Sequence, residues 1–164
     1  MTASAPRRGG RGGVTSALAL VGVLVLVPAS ARTQQGTTAR QVTLFGIMAT
    51  PGSMAIDPKL ASVSGQLRRL LPNHGFKLLD VRNKRLQPGQ AVVCSLGDGF
   101  AAETRLVQVL DASGKVQLRC ELRWQEQPQF ATLVTTPPNQ LFFCEKRLNN
   151  GSRILIGVGA RLSF

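Results

Sequence analysis

The feature that most constrains the fold is a ten-residue stretch, residues 115–124, in which apolar and polar side chains alternate without interruption. Val116, Leu118, Cys120, Leu122 and Trp124 share one parity, and Gln117, Arg119, Glu121 and Arg123 share the other. Successive side chains of a strand point to opposite faces, so this pattern specifies a half-buried antiparallel strand with Cys120 and Trp124 turned inward.

One such strand needs neighbours and a second layer to cover its apolar face. From residue 76 onward helical periodicity is absent, and short apolar runs alternate with turn residues at the spacing of a sandwich or barrel. Strands are predicted over residues 41–50, 76–81, 90–96, 100–110, 115–124, 130–135, 141–146 and 153–162. The turns between them are Pro51-Gly52, Gly97-Asp98-Gly99, residues 111–114, Pro137-Pro138-Asn139 and residues 149–152. Asn150-Gly151 is a two-residue hairpin signal, because both residues tolerate positive φ. Arg82, Asn83, Lys84 and Arg85 read as a charged turn or a charge-protected sheet edge.

A single helix interrupts this pattern. Asp57 is placed to cap it and Pro58 suits its first position, while Leu60, Val63, Leu67, Leu70 and Leu71 form one apolar face. Arg68 and Arg69 complement the dipole of its last turn, and Pro72 with Gly75 ends it. The fold class predicted is therefore mainly β: an antiparallel β-sandwich of about seven to eight strands with one packed α-helix.

Ahead of these elements, Arg7, Arg8 and Arg11 precede a mostly apolar run over residues 14–27, followed by Pro28 and the triplet Ala29-Ser30-Ala31. That order is a signal peptide with an A-x-A cleavage site. The apolar run is shorter than the ~20 residues a membrane-spanning helix needs. The predicted organisation is a signal peptide at 1–31, a flexible lead-in at 32–40 and a β-sandwich domain at 41–164, with a periplasmic or secreted destination. Retention of the leader as an anchor is the competing reading.

The whole chain carries 20 basic and 8 acidic residues, a net charge of +12, of which three arginines belong to the leader. An excess of that size favours anionic partners such as cell-surface polymers, acidic lipids, nucleic acid bound without sequence specificity, or acidic proteins. The candidate contacts are Arg82, Lys84 and Arg85 in one segment, with Arg119 and Arg123 on the outer face of a strand. Glu121 stands between the last two and offsets part of their field.

Chemistry-bearing constellations are sparse. The sole histidine, His74, sits in a post-helix turn with no G-x-S-x-G elbow before a helix, and it is the one residue on which a small hydrolase could rely. Cys94, Cys120 and Cys144 lack the C-x-x-C spacing of a zinc site, and a blue-copper centre would need a second histidine. Asp57, Asp98 and Asp111 read as cap and turn residues, so no carboxylate pair emerges. No cofactor and no metal is expected. The three cysteines lie in apolar runs, which favours packing over bridging, although an oxidising compartment allows one disulfide and one spare thiol. Trp124, Phe142 and Phe143 read as core side chains and not as a base-stacking face.

The order of a short export signal, one strand, a capped helix ending in LRRLLPNHGFKLLD, a run of alternating strands and a last hairpin NNGSRILIGVGARL resembles uncharacterised exported bacterial β-domains. The resemblance spans most of residues 41–162 and implies fold and export, with no activity to carry over. The expected function is a non-enzymatic interaction or structural module of the bacterial cell envelope or extracellular space, contacting an envelope protein or anionic polymer. Binding of anionic polymers or lipids through a basic surface is the alternative, and a small hydrolase using His74 the second.

Overall fold

The computed structural model describes residues 39–162. The predicted signal segment and all but the last two residues of the lead-in lie outside the described residues. The elements, in chain order, are β1 (Arg40–Pro51), a 3-10 turn (Pro58–Val63) running into α1 (Ser64–Leu70), β2 (His74–Leu86), β3 (Ala91–Gly97), β4 (Phe100–Val109), β5 (Val116–Trp124), β6 (Gln127–Thr136), β7 (Leu141–Arg147) and β8 (Arg153–Leu162).

The strands form two antiparallel four-stranded sheets, one ordered β2-β1-β8-β7 and the other β3-β4-β5-β6. The first, sheet A, draws its central pair from the two ends of the described chain, whereas sheet B is a simple meander. Val42, Leu44, Ile154, Ile156 and Val158 of sheet A pack against Val92, Cys94, Leu106, Leu118, Cys120 and Leu122 of sheet B. Burying each side chain of this size contributes roughly 1.5–3 kcal/mol, so this layer dominates the driving force for folding. The sheets are closely packed at Gly46, where an added Cβ would collide with Leu96 of β3.

Sheet A also has a second, smaller core on its outer face. Ile47 and Ala49 of β1 and Leu155 of β8 are covered by Leu60, Val63, Leu67 and Leu71. Strand β1 is therefore buried on both faces over half its length, which explains why its run LFGIMA shows no alternation.

The helical segment differs from the prediction in its phase. Asp57 caps as expected, its Oδ1 accepting from the Lys59 backbone N–H at 3.0 Å. The first six residues are 3-10, and three residues per turn rotate the stripe so that Leu60, Val63, Leu67 and Leu71 face the sheet. Leu70 turns outward and is 51% exposed.

Four other expectations are corrected. Residues 82–85 are not a turn: β2 runs unbroken to Leu86, paired with β1 from Pro51↔His74 to Arg40↔Leu86, with a bulge at Leu79. The edge reading holds, because β2 is a border strand of sheet A. Trp124 lies past the end of the core, 40% exposed, where its Nε1 donates to the Asp98 carbonyl and its ring covers the Gly97–Gly99 turn. Phe142 is 46% exposed, because β7 is the other border strand of sheet A. In the last hairpin only Gly151 takes positive φ (+82°). The Gly151 N–H donates to the Leu148 carbonyl and the Leu148 N–H to that of Ser152, giving a turn with a glycine bulge in place of a two-residue loop.

Candidate functional site

The outer face of sheet A is only half covered. On β1 this face reads Gln41, Thr43, Phe45, Ile47 and Ala49, apolar where the helix lies and polar beyond it. On β8 the same face reads Leu155, Gly157, Gly159 and Arg161, so the strand that neighbours β1 presents no side-chain bulk beside its polar half. An added Cβ at Gly159 would stand 2.5 Å from the Gln140 carbonyl, and one at Gly157 would stand 2.7 Å from the Phe143 ring. The glycines let the 137–140 loop and Phe143 settle close to the sheet.

The result is a groove of about 520 Å³. Its floor is Gln41, Thr43, Phe45 and Gly159; one wall is Ser62, Val63 and Gln66 from the helical segment. Asn83 of β2 closes one side, and Asn139, Gln140 and Leu141 with Arg161 close the other. Volumes of 300–1,000 Å³ are typical of ligand sites. Five of the lining side chains are primary amides, each with two donors and an acceptor. Thr43 Oγ1 and Asn83 Oδ1 are hydrogen-bonded across β1 and β2, which orients the Asn83 amide. Asn139 is held at φ +62° while its N–H donates to the Ala160 carbonyl at 2.9 Å, tying the loop to β8.

The five basic residues singled out from the sequence do not form one patch. Strand alternation divides the first three. Arg85 stands opposite Gln41 on the groove side of β2, whereas Arg82 and Lys84 stand opposite Leu44 and Val42 on the other side. Arg82 is paired with Asp80 at 3.0 Å, and both lie near enough to Cys94 to act on its thiol. Arg85 and Arg161 flank Gln41 from the two neighbouring strands, forming a row Arg85–Gln41–Arg161 across the sheet. Neither arginine is ion-paired with a carboxylate among the described residues.

Arg119 and Arg123 belong to sheet B, in a cluster the sequence did not reveal. Glu103 and Glu121 stand directly opposite each other on β4 and β5, as do Arg105 and Arg119. Like charges in register repel, and the structure compensates through pairs along and across the strands. Arg105 meets Glu103 at 2.8 Å and Arg123 meets Glu121 at 2.7 Å, while Arg119–Glu121 and Arg123–Glu103 are 3.8 Å apart. The Arg123 guanidinium is held above its ordinary range, chiefly by its hydrogen bond to Glu121 and then by that carboxylate's charge. Three guanidinium groups and two carboxylates leave one net positive charge, so this face satisfies most of its field internally. A cue was present in the sequence, since E-x-R in β4 and R-x-E-x-R in β5 share parity, but only the register brings them together.

His74 is at the opposite end of the β1–β2 ladder from the groove, paired with Pro51, and its Nδ1 is buried with no hydrogen-bond partner. Cys94 and Cys120 are buried and Cys144 half-buried in the inter-sheet core. Burial, with the Asp80 charge adding to it, pushes the Cys94 thiol up to about 12. No group of three metal-ligating side chains is assembled among the described residues, and none of the described helices is long and apolar enough to cross a membrane.

The chain matches no protein-family model, no curated protein and no solved structure.

Proposed function

We propose that the protein is a non-enzymatic interaction module of the cell envelope or extracellular space, holding an extended macromolecular partner in the groove on the outer face of sheet A. One observation carries this reading. The helix covers Ile47, Ala49 and Leu155 and stops, leaving a polar hollow on strands whose backbones are already fully paired. A fold that only needed to bury its face would continue the apolar stripe.

The lining favours binding over chemistry. It offers amides, hydroxyls, one aromatic ring and one guanidinium, with no carboxylate, imidazole or thiol among its residues. Such groups position a ligand by hydrogen bonds and stacking but supply no proton acceptor poised near neutrality. The cationic start, apolar run and Ala29-Ser30-Ala31 support export, as does the resemblance to exported β-domains.

The reading is tested by plugging the groove from its exposed wall. The purified protein and a Gln66→Trp variant are passed over immobilised dextran, polygalacturonate and polyglutamate. Retention of the native protein on at least one polymer, lost in the variant while its unfolding transition is unchanged, is the expected result. Retention that the plug leaves unaltered, or none on any polymer, would overturn it.

A further inference from the structure

The groove's partner can be specified further, on the reading that the groove is the binding site. We infer that its occupant is an acidic polysaccharide whose carboxylate or sulfate groups engage Arg85 and Arg161 while its hydroxyls engage the amides between them.

The row Arg85–Gln41–Arg161 crosses three adjacent strands. Neighbouring strands are ~4.8 Å apart, so the two arginine Cα atoms stand about 10 Å apart, with a neutral amide between. Both side chains are exposed, and no carboxylate among the described residues pairs with either, in contrast to Arg105, Arg119 and Arg123 on sheet B. A guanidinium fork binds an oxyanion in bidentate fashion, and two such forks at a fixed separation select a chain with recurring anionic groups.

The same geometry decides between a glycan and an acidic peptide. An extended peptide gains most of its affinity by adding a strand to an open sheet edge. The floor strands β1 and β8 each have partners on both sides, so a chain lying on the floor of the groove has no edge to extend. What it offers is Gln41, Gln66 and Asn83, whose paired donors and acceptors suit hydroxyl groups, beside the partly exposed ring of Phe45. These contacts fit a sugar chain, which presents hydroxyls on its edges and apolar C–H faces.

The test compares two ligands with the same sugar backbone, one bearing carboxylates and the other their neutral methyl esters. Oligogalacturonate and its fully methyl-esterified form are titrated calorimetrically into the native protein, Arg85→Gln/Arg161→Gln and Gln66→Trp, at low and moderate salt. The acid form is expected to bind at least tenfold more tightly than the ester to the native protein, with an advantage that shrinks as salt rises. In the double arginine variant the advantage disappears while ester binding persists. Equal affinity of acid and ester, or an advantage that survives loss of both arginines, would overturn the inference and leave groove binding intact. Oligoglutamate of equal charge binding more tightly than oligogalacturonate would also overturn it. Binding of both sugars undiminished in Gln66→Trp would instead remove the groove as the site.

Discussion

Cys120 of β5 and Cys144 of β7 are neighbours in the core between the two sheets, close enough for each thiol to act on the acidity of the other. The pair is asymmetric. Cys120 is fully buried, and the neighbouring Cys144 thiol, together with burial, raises its thiol above the ordinary range. Cys144 is half-buried and is lowered by its Cys120 neighbour, with burial opposing. Thiolate is the reactive form, so accessibility and acidity point to the same sulfur. Under native conditions at pH 8, iodoacetamide is expected to label Cys144 first, with Cys94 and Cys120 reacting only after unfolding. Mass mapping of the labelled peptide checks this, and Cys144→Ser should abolish native labelling.

Cys94 sets an alkaline limit on stability. Its thiol is raised from about 9 to about 12 in the fold, first by burial and then by Asp80. A raised value means that its contribution is complete below about pH 9 and is lost as the pH climbs toward 12, because the unfolded chain releases the proton first. The loss is about 1.4 kcal/mol per pH unit in that window. Urea midpoints measured at pH 8 and pH 10 should fall accordingly, and Cys94→Ala should flatten the decline.

Close packing of the layers makes Gly46 sensitive to a single methyl group. A Cβ there runs into Leu96 and then meets the Cys94 sulfur at 3.6 Å. Overpacking of this kind typically costs 1–3 kcal/mol, so Gly46→Ala is expected to lower stability by about that amount in chemical denaturation. Leu133→Ala, on an exposed side chain, should stay within about 0.5 kcal/mol.

The charge ladder on sheet B should matter for surface potential and little for folding. Glu121→Gln leaves Arg119 without its carboxylate and Arg123 with Glu103 alone. Exposed pairs are worth roughly 0.2–1 kcal/mol, so the unfolding midpoint should move only slightly. Retention on a sulfated resin should rise, because the face gains one net positive charge. The same variant should bind a groove ligand as the native protein does.

Where the sequence was legible, a single burial environment ran along a whole element. Strand β5 is half-buried from Val116 to Leu122, so its period is plain, and the Asp57 cap and the turns at Asp98 and Asp111 are local choices visible in a few residues. Legibility failed where two environments met in one strand. β1 serves both cores, β2 is mostly apolar from Phe76 to Val81 and mostly charged from Arg82 to Arg85, and the 3-10 start of the helical segment shifts the phase that made Leu70 look buried. The groove was invisible for a further reason. Gln41, Gln66, Asn83, Gln140 and Arg161 lie in five separate segments, and only the strand order β2-β1-β8-β7 assembles them. The one local trace was Gly157 and Gly159 alternating with Ile156, Val158 and Ala160, a strand with bulk on one face and none on the other.

The central claim, that the half-open face of sheet A is where the partner sits, is tested most directly by nuclear magnetic resonance of the side-chain amides during titration with oligogalacturonate. The shifts are expected to concentrate on Gln41, Gln66, Asn83 and Gln140, with Arg85 and Arg161 guanidinium signals moving in step. Shifts confined to the Glu103–Arg123 face of sheet B, or a spectrum unchanged at saturating ligand, would contradict it.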